Sequence, residues 1–266
     1  QESNGIPKEA IDYLVNPTSL EFEKAVQREE LEYLINVFQD AKEYGSILNV
    51  EPIDFKAIEE RIEQIRNGET VDLFEEQYRE IILEKLPHLI KQAKIMSQKY
   101  DVVVTNPPYM GQSGMNPNLS NFIKKYFPNS KGDLGTVFME VCITYASSNG
   151  YVSMINIPSW MFLTTYETLR KNLIINNSFI SLLHLGRGIF GADFGTTAFV
   201  IKNSKIKNYV GIFKRLFENQ SVVDSLEKKR EKFFNETSFY NKQENYLLIS
   251  GSPITYWAKN IDLNCS

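Results

Sequence analysis

The stretch that most constrains this chain is Lys99 to Met110, KYDVVVTNPPYM, where a β-branched run meets two consecutive prolines. Val102 to Val104, bounded by Pro107-Pro108, predicts a fully buried strand running into a rigid loop. The carbonyl of Pro107 and the carboxamide oxygen of Asn106 are then two neutral acceptors on backbone whose φ angles the rings of Pro107 and Pro108 hold fixed. Two converging acceptors suit an NH2 group conjugated to a ring or a carbonyl. Its lone pair is delocalised, and accepting both hydrogens pulls the nitrogen toward a pyramidal, attacking geometry; pre-placed dipoles of this kind stabilise transition states. Tyr109 adds a flat face for a planar group, a contact worth about 1–3 kcal/mol per base in nucleic-acid systems. A bare Asn-Pro-Pro also fits a turn that ends a strand. The apolar strand ahead of it favours a site for an amine on a planar group.

Downstream, Met110 to Ser130 is rich in Gly, Asn, Ser and Pro and reads as a mobile loop on the substrate side, with Lys124, Lys125 and Lys131 placed to meet phosphates. Asp133 opens a helix that carries Phe138, Val141, Ile143 and Tyr145 to a stop at Asn149-Gly150. A strand at Tyr151 to Ile157, a helix over 165–175 and a strand at Phe179 to Leu185 follow. This alternation predicts a parallel α/β sheet. Gly186 to Gly191 matches G-x-G-x-x-G, but the next element, Thr196 to Lys202, reads as a strand and not as a helix. The glycines are therefore expected in a hairpin connection, not in a phosphate cradle.

The first hundred residues read helical. Phe22, Val26, Leu34, Ile35, Phe38 and Ala41 lie at helical spacing behind Ser19 as cap, with Gly45 as the stop. Phe55, Ile58, Ile62 and Ile65 mark a second helix ending at Asn67-Gly68. A third spans Val71 to Ser97, with Leu73, Phe74, Ile81, Ile82, Leu89, Ala93 and Met96 apolar and Pro87 expected to kink or break it. Net charge is −4, unevenly spread: residues 1–100 hold 12 Lys and Arg against 21 Asp and Glu, and residues 101–266 hold 17 against 12. The asymmetry points to a partner on the basic side, and a solvated surface is the alternative. Absence of a long apolar run or a charged-then-apolar leader excludes a membrane span and a signal peptide, and Cys142 and Cys265 are too few for a disulfide framework or a metal cluster. A cytoplasmic protein without a metal is expected.

DVVVTNPPY resembles motif IV of the S-adenosylmethionine-dependent amino-methyltransferases. In that family Asn and the first Pro hold the target nitrogen and Tyr stacks on a flipped adenine, which here implies Asn106, Pro107, Pro108 and Tyr109 as catalytic residues. Asp133 to Phe138 and Pro158-Ser159 resemble motifs V to VII, and the resemblance implies that Asp133 and Phe138 lie near the cofactor. Motif VIII supplies an aromatic that closes over the base opposite the tyrosine; Phe190 is the first choice for it and Phe194 the second. Arg187 joins the lysines as a DNA-phosphate contact. Ser250 to Trp257, SGSPITYW, resembles the junction before the target-recognition region of large adenine-specific DNA methyltransferases, nearest the BREX phage-resistance, PglX-like family.

The resemblance implies a partial class I, Rossmann-like α/β methyltransferase sheet over 99–204, a helical insertion over 1–98 and a region over 205–266 linking toward target recognition. It also implies S-adenosyl-L-methionine as cofactor, with double-stranded DNA carrying a flipped adenine and other defence-system proteins as partners. One departure stands out. The family's Gly-rich cofactor motif precedes NPPY, yet only Gly5, Gly45 and Gly68 occur there. The expectation is an internal fragment, inactive by itself, that lacks most of the cofactor half. Other readings are an NPPY-type methyltransferase of an RNA base or a protein glutamine, and a non-catalytic DNA- or protein-binding module.

Overall fold

A computed structural model describes residues 2–15, 26–191 and 194–258, except for the side chain of Phe190. The chain divides into two compact units, Gln1–Gln98 and Lys99–Ser266.

The first unit is helical: α1 (Lys8–Val15), α2 (Arg28–Val37), the single turn α3 (Ala41–Tyr44), α4 (Phe55–Asn67) and α5 (Leu73–Ser97). Each long helix buries one apolar stripe, with Ala10 and Leu14 of α1, Leu31 and Leu34 of α2, Ile58 and Ile62 of α4, and Ile82, Leu86 and Leu89 of α5 forming its core. Asp54 caps α4 by accepting from the Ala57 amide at 3.3 Å, and Asp72 caps α5 through the amides of Phe74 and Glu75, both at 2.9 Å. Two expectations are corrected. The helix expected from Ser19 to Ala41 is shorter: Ser19 and Phe22 lie outside the described residues, and Asp40, at φ 54°, separates α2 from α3. Pro87 does not break α5, because Leu86, Leu89 and Ile90 around it are buried, and that burial offsets a lost hydrogen bond and ring clash worth about 3 kcal/mol.

The second unit is a six-stranded mixed sheet in the order β1-β2-β4-β3-β5-β6. The strands are β1 (Tyr100–Thr105), β2 (Ala146–Asn156), β3 (Ser178–Gly186), β4 (Thr196–Lys202), β5 (Val210–Arg215) and β6 (Phe239–Lys242); the helices are α6 (Pro117–Tyr126), α7 (Leu134–Tyr145), α8 (Glu167–Asn176) and α9 (Leu226–Asn235). The sheet is not wholly parallel. β4 returns from β3 as a hairpin and inserts antiparallel between β2 and β3, while β1 pairs parallel with β2 and β5 parallel with β3. The ends of β1, β2 and β3 consequently share one edge of the sheet, where the loops after Thr105, Asn156 and Gly186 emerge.

Alternation along the strands sends Val152 and Met154 of β2 and Phe199 and Ile201 of β4 to the face packed by Met139 and Cys142 of α7 and Leu169 and Leu173 of α8. Val102 and Val104 point the other way and are 59% and 70% exposed, so β1 is not the fully buried strand expected. Within this unit β1 is an edge strand, paired on one side only. The expected loop over 110–130 also contains α6, which Asn116 caps through the Leu119 amide at 2.9 Å with Pro117 at the first helical position. α7 stops at Tyr145, ahead of Asn149-Gly150, which instead make the irregular start of β2, where the register with β1 jumps from Ala146 to Tyr151.

Residues beyond β4 belong to the same core, which includes Phe213, Tyr246, Ile254 and Tyr256. Arg170, fully buried on α8, ties this segment in: its guanidinium donates to the carbonyls of Trp160 (2.9 Å), Leu163 (2.6 Å), Gly251 (2.6 Å) and Ser252 (3.1 Å).

Candidate active site

β1 delivers Asn106-Pro107-Pro108-Tyr109 to the strand-end edge of the sheet with Asn106 exposed, Pro107 buried and Tyr109 half-buried. The Tyr109 hydroxyl donates to Asn106 Oδ1 at 2.7 Å and lies 3.1 Å from the carbonyl of Ile155, near the end of β2. One proton serves two acceptors. The contact fixes the carboxamide of an exposed asparagine that would otherwise rotate freely. Burial raises the phenol's pKa, and the Asp133 carboxylate raises it further, so the hydroxyl stays a donor.

Behind the tetrapeptide stands the first turn of α7. Asp133 caps it, accepting from the Gly135 amide at 2.7 Å, and is 7% exposed. Burial raises the carboxyl's pKa while the amides of Gly135 and Met110 pull it down. Met110 is gripped from its other side too, its carbonyl accepting from the Leu134 amide at 2.9 Å. Asn156, fully buried at the end of β2, donates to the Gly135 carbonyl at 2.9 Å and accepts from the Ile157 amide at 2.8 Å. Sequence reasoning missed Asn156; the signal was a polar residue closing an apolar alternating strand.

Of the two aromatic candidates, Phe194 meets Tyr109, edge to face with centroids 5.5 Å apart at 86°. The side chain of Phe190, the first choice, lies outside the described residues. Lys124 and Lys125 stand in the exposed last turn of α6, with Lys125 Nζ 4.8 Å from the centroid of Tyr126. Lys131 is exposed, and its carbonyl accepts from Gln112 at 3.1 Å. Arg187 donates to the Ser221 carbonyl at 2.8 Å.

The residues expected near a cofactor are engaged elsewhere. Asp133 holds backbone amides, and Phe138 packs against the sheet core. The glycines of the G-x-G-x-x-G stretch do sit in the β3–β4 hairpin connection. Gly186 and Gly188 have positive φ, and a Cβ on them would meet Phe217 at 2.7 Å and Val223 at 2.6 Å. They make room for side chains, not for a phosphate.

The model of the Eco57I restriction-modification methylase family matches residues 21–190. The chain belongs to that family. It is 38% identical over 254 residues to the adenine-specific methyltransferase BrxX of Escherichia coli O9:H4 (strain HS), covering 93% of the chain and 20% of BrxX. It is 34% identical over 234 residues to the adenine-specific methyltransferase PglX of Lacticaseibacillus casei (strain Zhang), covering 83% of the chain and 19% of PglX. The chain thus spans about a fifth of the length of these curated relatives. A solved structure from work on assembly and conformational transition of the type I R-M system aligns over 96% of the chain and 62% of its own length, at 14% identity and TM-score 0.47.

Proposed function

We propose that this chain is the base-holding part of an adenine-specific DNA N6-methyltransferase from a phage-defence or restriction-modification system. The observation that carries the reading is the Asn106 carboxamide, exposed at the end of β1 and orientated by the hydroxyl of Tyr109, whose ring Phe194 meets edge to face. Membership of a methylase family and the relatives' names support the chemistry. An adenine extruded from the duplex presents its N6 amine to Asn106 Oδ1 and the Pro107 carbonyl while its ring lies on Tyr109. Phe194 withdraws from the Tyr109 ring and covers the base. Lys124, Lys125 and Lys131 meet the DNA backbone. Arg187 joins them once it leaves the Ser221 carbonyl.

Methylases of this kind use S-adenosylmethionine, and the residues of this chain do not fit it alone: both candidate contacts are engaged within the fold, and the space over Gly186 and Gly188 is filled by Phe217 and Val223. The role assigned here is confined to holding and activating the amine, with the cofactor site supplied largely from outside these 266 residues.

Asn106→Ala in the full-length protein tests the reading. Adenine methylation, measured by mass spectrometry of digested DNA, is expected to fall by about 10²–10³-fold, the loss typical of one pre-placed polar group. The unfolding midpoint should stay put. Turnover like wild type would overturn the assignment.

A further inference from the structure

The backbone of Met110, the residue after the tetrapeptide, is held on both sides by the pair Asp133-Leu134. Its amide stabilises the Asp133 carboxylate and its carbonyl accepts from the Leu134 amide at 2.9 Å. Gly111 and Asp133 form an isolated antiparallel bridge, and Asp133 Oδ2 lies 4.0 Å from where a Cβ of Gly111 would stand. A helix cap needs none of this. Its task is done when Oδ1 accepts the Gly135 amide at 2.7 Å.

The first turn of α7 is in turn fixed to the end of β2, because Asn156 donates to the Gly135 carbonyl at 2.9 Å. The loop then closes on itself: Tyr109, one residue before Met110, reaches the carbonyl of Ile155, the neighbour of Asn156, at 3.1 Å. The tetrapeptide is therefore slung between two adjacent residues of β2, one end through the Tyr109 hydroxyl and the other through Asp133. Most of the span that Asp133 secures is rigid already, since the two prolines allow little adjustment.

We infer that Asp133 is a positioning residue for Asn106 and Tyr109, acting through Met110, and not a cofactor ligand. The inference rests on the proposed function for its kinetic consequence, but its structural claim does not. Asp133→Asn keeps length and the cap through Oδ1 but sets an NH2 donor in place of the oxygen that faces the Met110 amide. Asp133→Ser keeps a good helix cap on a side chain too short to hold Met110 as well.

Two experiments test this. In the 266-residue chain, hydrogen exchange over a peptide spanning Pro107 to Gln112 should speed up in both Asp133→Ser and Asp133→Asn, with the far-ultraviolet spectrum unchanged. Equal protection in the serine variant would overturn the positioning role without reference to any activity. In the full-length protein, Asp133→Ser and Asp133→Asn should each lower kcat by about 10²-fold, the scale of an ångström of misplacement, and leave the Kd for S-adenosylmethionine unchanged. A weakened Kd for S-adenosylmethionine with kcat intact at saturation would make Asp133 a cofactor ligand and sink the inference. Asn106→Ala separates the two failures: if that variant still methylates, the functional reading falls, whereas if it is dead and Asp133→Ser is fully active, only the positioning role falls.

Discussion

At the end of β3 the His184 ring, 2% exposed, meets the Tyr256 hydroxyl through Nδ1 at 3.0 Å and lies edge-on to Phe217 with centroids 4.7 Å apart. Burial, with a smaller contribution from the Arg215 charge, lowers its pKa from 6.5 to about 4. The sign follows from linkage: below pH 6.5 the unfolded chain takes up a proton that the folded chain refuses until about pH 4, so stability rises with pH across that window. The contribution is fully present above pH 6.5 and is lost as pH falls toward 4, amounting to about 3 kcal/mol at the rate of 1.36 kcal/mol per unit. His184→Asn, which can keep the contact to Tyr256, should flatten this dependence. Urea midpoints at pH 7 and pH 4.5 check it, and an equal drop in both proteins would assign the acid sensitivity elsewhere. Nothing in the sequence around His184 marks the ring as buried beyond its place in an apolar strand. The Tyr256 partner lies 72 positions away, a pairing that only the folded sheet creates.

Between elements, the decisive joint is that of α7 with β2. Gly135 sits in the first turn of α7, where a Cβ would collide with Asn156 Oδ1 and stand 3.1 Å from Asp133 Oδ1. Neither neighbour can give way cheaply, because Asn156 holds the Gly135 carbonyl and Asp133 holds its amide. Gly135→Ala should therefore destabilise the protein by about 1–3 kcal/mol, the usual cost of overpacking, even though alanine is the better helix former. Chemical denaturation measures it; a neutral or stabilising result would mean that the joint is slack. Elements were legible where pattern and local chemistry agreed, as in the NPPY strand, the Asp54-capped helix α4 and the hairpin after Gly186. They were misread where composition masked local chemistry. Asn116-Pro117 is a cap followed by a first-position proline, yet among so many Gly, Asn and Ser it read as loop. Pro87 was taken at its intrinsic cost, without the buried neighbours that outweigh it. Val102 and Val104 looked buried because a β-branched run carries no record of whether the sheet face it points to is covered.

For the molecule as a whole, the family match runs from residue 21 to 190 and so crosses both compact units, while the helical unit carries the whole acidic excess and the sheet unit a basic one. The sheet unit collects NPPY, Phe194 and the lysines of α6 but offers S-adenosylmethionine no cradle among its described residues. Within the sheet unit β1 pairs on one side only, and Val102 and Val104 are exposed on the face away from α7 and α8. Under the proposed function, this chain would hold the base and draw most of its cofactor site from elsewhere in the full-length protein. Calorimetric titration of S-adenosylmethionine into this chain and into the full-length protein is the direct check. Heat of binding is expected from the full-length protein only. Binding to this chain with comparable affinity would mean that Asp133 or Phe138 leaves its present contacts to hold the cofactor. Binding to neither, with salt-dependent duplex binding retained, would reduce the NPPY site to a DNA-binding remnant and overturn the catalytic reading.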